Sequence, residues 1–344
     1  MTIELTRKRS IFFVLGTGFL VAVFLCIGFG YYLVSPAGRD RADRIFKVRP
    51  GATLKEVVSG LRRRGLISSE GPLLLWARVM GYGRHIKSGE YRLNPSMPPV
   101  RILAILNKGA ILTHLVTIPE GYTRRQIAAL LEKKGLADRR EFLALTGDPK
   151  IAKRFGLPGP DLEGYLYPDT YAFAKGLSTL SIIGTMVRRF REVTAPFRAR
   201  AAERGLSMKQ VVILASMVEK ETGRAGERPM IADVFLNRLK KGMRLESDPT
   251  VIYGITDFDG NLRKRDLKKR SPYNTYVIRG LPRGPIANPG EAAIRAVLYP
   301  AGTDYLYFVS RNDGTHCFST TLKAHLQAVE TFQKRRRKRP AKSP

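Results

Sequence analysis

The sequence predicts an α+β protein in three parts: a single N-terminal transmembrane helix, a small βα module and a mixed α+β domain. Three observations predict it. Residues 11–34 form a run of 24 positions without a charge. A strand–turn–helix pattern then recurs at an offset of 70 residues. Finally, residues 210–223 run from an apolar stretch into Glu219-Lys220-Glu221 and are followed by loops punctuated with Pro and Gly.

The apolar run is long enough to cross a bilayer as a helix, and Arg7, Lys8 and Arg9 precede it. It exceeds the usual apolar core of a cleaved signal peptide, and no Ala-x-Ala site follows. Phe24-Leu25 ahead of Cys26 does not make a lipoprotein cleavage site, which predicts an uncleaved anchor. Arg39, Arg41, Arg44 and Lys47 follow the span, so flanking charge does not orient it. A short N-terminus stays inside and a long downstream domain translocates largely regardless of charge. Residues 1–10 are therefore expected in the cytoplasm and the bulk of the chain outside it. Residues 35–44 read as a polar linker.

Residues 45–115 form the predicted module. Val48-Arg49-Pro50-Gly51-Ala52-Thr53 aligns with Ile118-Pro119-Glu120-Gly121-Tyr122-Thr123, and Val57, Leu61 and Gly65-Leu66 align with Ile127, Leu131 and Gly135-Leu136. Each copy reads as a short strand, a Gly turn, a Thr cap and an amphipathic helix ending at Gly. The unit resembles the LysM type of carbohydrate-binding module, and a generic βα unit used for packing is the other reading. The second copy, 116–150, opens the domain predicted for 116–332, and 333–344 reads as a basic disordered tail.

Within that domain the patterning predicts helices over 139–145, 151–155, 178–193, 195–204, 229–240, 291–299 and 321–332, with a strand over 305–310. In the module it adds helices over 73–80 and 100–107 and a strand over 88–93. Residues 257–269 read as an exposed, basic, mobile insertion.

The net charge of +31 suits a polyanion, whether nucleic acid, anionic lipid or an acidic wall polymer. Single-strand nucleic-acid binding needs base-stacking aromatics beside the basic residues. Here the tyrosines cluster with Pro, Asp and Thr, and the anchor places the chain outside the cytoplasm, so no nucleic-acid partner is expected. Cys26 and Cys317 show no metal spacing, and His85, His114, His316 and His325 are scattered. No metal and no cofactor are expected.

Residues 210–223 predict a helix capped by Ser207 and ended near Gly223. At about 100° per residue, Glu219 continues the face of Val212, Ala215 and Ser216, whereas Glu221 lies near Met217. A carboxyl on an apolar face is driven to hold a proton near neutral pH, as a general acid must. The other reading is a helix-end carboxylate paired with a neighbouring Arg or Lys. The loop from Leu162 to Tyr171 offers aromatic faces and hydroxyl-bonding side chains suited to a sugar, or else a tight turn with half-buried tyrosines.

Several strings resemble the YceG-like family of endolytic murein transglycosylases. They are Glu163-Gly164-Tyr165-Leu166-Tyr167-Pro168-Asp169-Thr170-Tyr171, Ala215-Ser216-Met217-Val218-Glu219-Lys220-Glu221-Thr222, Val234-Phe235-Leu236-Asn237-Arg238-Leu239, Asp248-Pro249-Thr250-Val251-Ile252-Tyr253-Gly254, Ser271-Pro272-Tyr273-Asn274-Thr275-Tyr276 and Gly284-Pro285-Ile286-Ala287-Asn288-Pro289-Gly290. The resemblance implies cleavage of the β-1,4 bond between N-acetylmuramic acid and N-acetylglucosamine without water, leaving 1,6-anhydro ends. It implies one catalytic glutamate, expected at Glu219, with Glu221 and Ser216 in supporting positions. Glu163, Tyr167, Asp169, Asn237, Asp248, Tyr273 and Asn274 are expected to line the groove. The implied partners are peptidoglycan glycan strands, nascent and beside the peptidoglycan synthases. Two alternatives stay open: a hydrolase of the same polymer with Asp169 or Asp248 as second carboxylate, and a non-enzymatic polyanion-binding envelope protein.

Overall fold

The computed structural model describes residues 2–82 and 86–334, with side chains for 15–82 and 86–333. His85 and the tail from residue 335 lie outside the described residues. Two units separate, residues 1–114 with 174–176, and residues 115–173 with 177–344.

In the first unit, α1 (Thr2–Val34) begins before the uncharged run and carries it. Its stretch Leu15–Val34 has a mean hydropathy of 2.0 and is long and apolar enough to cross a membrane. Near its end the Tyr32 hydroxyl donates to the Ser69 carbonyl. The unit continues through β1 (Arg44–Val48), α2 (Leu54–Arg63), α3 (Gly71–Val79), β2 (Gly89–Leu93) and α4 (Pro99–Lys108). β1 pairs antiparallel with β2, Phe46 opposite Tyr91. Both rings are buried with Val57, Val58, Leu61 and Leu103 in the core.

The repeat is physical. Thr53 caps α2 through a capping box with Glu56. Thr123 caps α5 (Arg124–Lys133) through a capping box with Gln126. The two helices have 10 residues each. Each is followed by a left-handed glycine, Gly65 at φ 65° and Gly135 at φ 64°. Reciprocal caps of this kind satisfy two otherwise orphaned backbone donors.

β3 (Thr113–Thr117) leads into the second unit, where α6 (Arg139–Gly147), α7 (Pro149–Arg154), β4 (Thr170–Ala174), α8 (Thr179–Thr194) and α9 (Arg198–Glu203) follow α5. β3 pairs with β4. α10 (Met208–Glu221), α11 (Arg228–Lys240), α12 (Asp248–Tyr253) and α13 (Glu291–Leu298) build the core around the focal helix. Val211, Leu214, Ala215 and Val218 of α10 pack with Ile231, Phe235, Ile294 and Val297. β5 (Tyr307–Ser310) and β6 (His316–Ser319) form an antiparallel hairpin, and α14 (Leu322–Val329) follows. The sequence reading has no counterpart to β6, and its strand at 305–310 shortens to β5.

Candidate active site

The focal helix starts as expected. The Ser207 hydroxyl accepts from the Gln210 N–H, and the Gln210 side chain accepts from the Ser207 N–H. Val211 to Val218 are then all buried. Ser216 is fully buried; its hydroxyl donates to the Ile213 carbonyl at 2.7 Å and accepts from the Ile286 N–H at 3.0 Å. That bond ties the helix to the loop that ends at Gly290. α10 delivers two carboxylates from its C-terminal turn into two different settings.

Glu219 meets charge, not the continuing apolar face of the helical wheel. Its side chain is 6% exposed, and Oε1 accepts from Arg228 Nη2 at 3.0 Å. Oε2 accepts from the Gly290 N–H at 3.0 Å. The same Arg228 nitrogen lies 3.7 Å from Glu120. Burial, and then the charge of Glu219, raise the Glu120 carboxyl above its ordinary range. Both oxygens of Glu219 are thus engaged by the protein, which is the ion-paired alternative of the sequence reading.

Glu221 lines a cavity of about 370 Å³ together with Arg238, Leu245, Glu246, Asp248, Tyr276, Phe308 and His325. Among the described residues, Ser247 is the one side chain that bonds its carboxyl, donating to Oε1 at 2.5 Å. Burial pushes Glu221 up to about 7; the Ser247 hydrogen bond opposes this, and the neighbouring charge of Asp248 adds to it. Asp248 in turn accepts from the Tyr276 hydroxyl at 2.7 Å.

The wall of this cavity is fixed from behind. The Ser247 N–H donates to the Thr275 hydroxyl, which shares a 2.8 Å hydrogen bond with that of Thr250. Arg238 is buried and donates to the carbonyls of Leu306, Arg244 and Leu245, and to Glu246. Its guanidinium lies over the Tyr307 ring, 5.1 Å from the centroid. Glu246 sits at φ 50°, a left-handed conformation uncommon for a side-chain-bearing residue. Strain of this kind persists where surrounding bonds over-determine it, and it concentrates at functional sites.

Other expected groove residues serve the scaffold. Glu163 is 1% exposed, and burial pushes it up to about 7 against several hydrogen bonds. It accepts from the Arg124 N–H, the Asn288 amide and the Tyr253 hydroxyl, so its oxygens are used inside the fold. Asn237 donates to the Thr303 and Tyr305 carbonyls and does not line the Glu221 cavity. Asn274 is buried and donates to the carbonyls of Asp266, Leu267 and Lys269, holding the basic 257–269 segment. Asn274→Ala leaves those carbonyls without that donor. It should lower stability by about 1–3 kcal/mol, and proteolysis of the segment, followed by mass spectrometry, reads the loosening.

Tyr273 packs edge-on against Tyr253, with centroids 4.8 Å apart. Tyr167 and Asp169 form a separate cluster: Arg189 donates to Asp169 at 2.7 Å and lies over the Tyr167 ring. Of the expected groove residues, Asp248 is the one that shares the cavity with Glu221. Sequence reasoning missed Ser247, Tyr276, Glu246 and His325 as site residues. Tyr276 closes a motif already singled out, whereas an isolated histidine in a helix carries no signal of its own.

A family model, the YceG-like family, matches residues 46–331. An endolytic murein transglycosylase of Bacillus subtilis (strain 168) is 31% identical over 321 residues, covering 88% of this chain and 89% of that protein. One of Streptococcus pneumoniae serotype 2 is 29% identical over 291 residues, covering 76% of this chain but only 53% of its relative. The crystal structure of a YceG-like protein from Listeria monocytogenes superposes with a TM-score of 0.58 at 31% identity, covering 84% of this chain and 100% of that one. With a family model spanning so much of its length, and with the motif strings drawn together around α10, the chain belongs to the YceG-like family.

Proposed function

We propose that the protein is a membrane-anchored endolytic peptidoglycan transglycosylase in which Glu221, rather than Glu219, is the catalytic acid. The observation that carries the assignment is the setting of Glu221: a carboxyl pushed up to about 7, open to a cavity and bonded by a single serine. Protonated Glu221 donates to the glycosidic oxygen between the muramoyl and glucosaminyl residues, and the C1–O bond breaks. The resulting carboxylate takes the proton of the muramoyl 6-hydroxyl as that oxygen closes onto C1. A 1,6-anhydro end forms and the acid is regenerated without water. An internal nucleophile removes the need for a second carboxylate, which a hydrolase uses to activate water or to attack C1. Ser247 holds the Glu221 carboxyl in place, and the charge of Asp248 beside it favours the protonated form.

The apolar α1 is read as an uncleaved anchor with its N-terminus inside, which puts the catalytic unit at the outer face of the cytoplasmic membrane. The β–α–α–β order of the first unit supports a LysM-like module that holds glycan. Nascent strands, released by cleavage beside the synthases, are the substrate we infer.

Asp248 in the same cavity favours one other reading, a hydrolase with that residue as its second carboxylate. The products separate the two, because a hydrolase leaves reducing ends.

The acid role sets a pH dependence. The fraction of protonated Glu221 falls as pH rises through about 7. Glycan cleavage, measured as kcat/KM, should therefore drop about tenfold per pH unit beyond that point. Glu163→Gln should keep that limb, although Glu163 is itself pushed up to about 7. Loss of the limb in Glu163→Gln would move the acid there. Stability follows the same protons. Glu163 and Glu221 bind them more tightly in the folded than in the unfolded chain. Their contribution is full below about 4.5 and is lost as pH rises through about 7. The Tm should fall across that window, and less so in Glu163→Gln.

A further inference from the structure

We propose that His325 is a substrate-binding residue, its imidazole hydrogen-bonding an acetamido or hydroxyl group of the glycan beside Glu221. The inference rests on the reading of the Glu221 cavity as the active site.

His325 reaches that cavity from α14, a helix capped by the Thr321 hydroxyl. Its Nδ1 is buried and has no hydrogen-bond partner among the described residues. The ring is held in a fixed orientation. It stacks on Tyr307 with centroids 5.1 Å apart and planes 21° from parallel, and the guanidinium of Arg238 covers Tyr307 in its turn. Nδ1 itself is closed to solvent, so it is the other ring nitrogen, on an imidazole packed against Tyr307 in the wall shared with Glu221, that a sugar group can reach.

The surroundings select the chemistry. Among the described residues, Arg238, Glu246, Glu221, Asp248 and Tyr276 line the same cavity as the ring, and Tyr307 stacks on it. Burial first, then the charge of Arg238, hold the imidazole below its ordinary range, while Glu246 opposes them. A neutral imidazole has one donor and one acceptor nitrogen. That pair matches the hydroxyls and acetamides of an amino sugar; a carboxylate would call for the charged ring.

The test separates hydrogen bonding from packing. Full-length protein in detergent carries Glu221→Gln to stop turnover, and its affinity for purified, uncrosslinked peptidoglycan glycan strands is measured alone and with His325→Phe or His325→Gln. Phe keeps the ring and its stacking but has no nitrogen, whereas Gln keeps a donor and an acceptor. His325→Phe should weaken binding about tenfold at an unchanged Tm, in keeping with the loss of one buried hydrogen bond. His325→Gln should stay within about threefold of the parent. In the Glu221 background the same change should appear as a raised KM with kcat little altered. Undiminished binding by His325→Phe, or equal losses for both variants accompanied by a lowered Tm, would overturn the proposal. Should Glu221→Gln itself go on cleaving glycan, the active-site reading fails separately, before either His325 variant is compared.

Discussion

Glu221→Gln is expected to lower glycan cleavage by about 10²- to 10⁴-fold, the usual contribution of a positioned general acid. The fold should survive, since glutamine is isosteric and can still accept from Ser247, the one side chain that bonds Glu221 among the described residues. It also removes the cost of ionising a buried carboxyl, so Tm above neutral pH should hold or rise. Glu219→Gln should behave in the opposite way. Its carboxylate accepts from Arg228 and from the Gly290 N–H, and the Arg228 side chain is only 12% exposed. Removing one partner of such a pair costs about 3 kcal/mol, so Tm should fall while the folded fraction still cleaves. Thermal melts beside initial rates, for each variant, make the comparison. A Glu219→Gln variant that is stable but inert would return the acid to the position that the sequence motif first suggests.

Gly164→Ala should damage the fold severely for so small a change. Gly164 lies at φ +85°, where a side chain is strained. An added Cβ would come within 2.5 Å of Pro285 Cγ and 2.8 Å of Val212 Cγ1. Val212 is on α10, and Pro285 precedes the Ile286 whose N–H donates to Ser216, so neither neighbour is free to yield. Backbone strain and overpacking together should cost about 3 kcal/mol. For a unit of this size that is a fall of roughly 6–12 °C in Tm. Because both contacts bear on the focal helix, activity should decline with stability. An unchanged melting curve would show that the loop from Leu162 to Tyr171 does not brace α10.

Local features of the fold were readable because their causes are local. The Thr53, Thr123 and Ser207 caps each sit three residues before the Glu or Gln that completes the box. The offset between the two repeat copies was visible for the same reason. The hairpin of β5 and β6 was also signalled, by Asn312-Asp313-Gly314 between two apolar runs, and went unread.

The site was less legible because its chemistry is assembled from distant segments. A helical wheel places Glu219 and Glu221 relative to their own helix and nothing else. The partners that distinguish them are Arg228, 9 residues away, Ser247 at 26 and Gly290 at 71. Asn237 and Asn274 are expected in the groove because they stand in the family's strings, whereas in the fold the amide nitrogens of both donate to backbone carbonyls. Glu163 shows the limit from the other side: a strongly raised carboxyl whose oxygens the scaffold already occupies.

The central claim is that one carboxyl, Glu221, cleaves glycan without water. Mass spectrometry of peptidoglycan glycan strands digested by the full-length protein in detergent tests it most directly, with Glu221→Gln and Glu219→Gln in parallel. The expected products are 1,6-anhydromuramic ends from the wild type and from the folded fraction of Glu219→Gln, and none from Glu221→Gln. Reducing ends from the wild type, or anhydro ends at undiminished yield from Glu221→Gln, would contradict it.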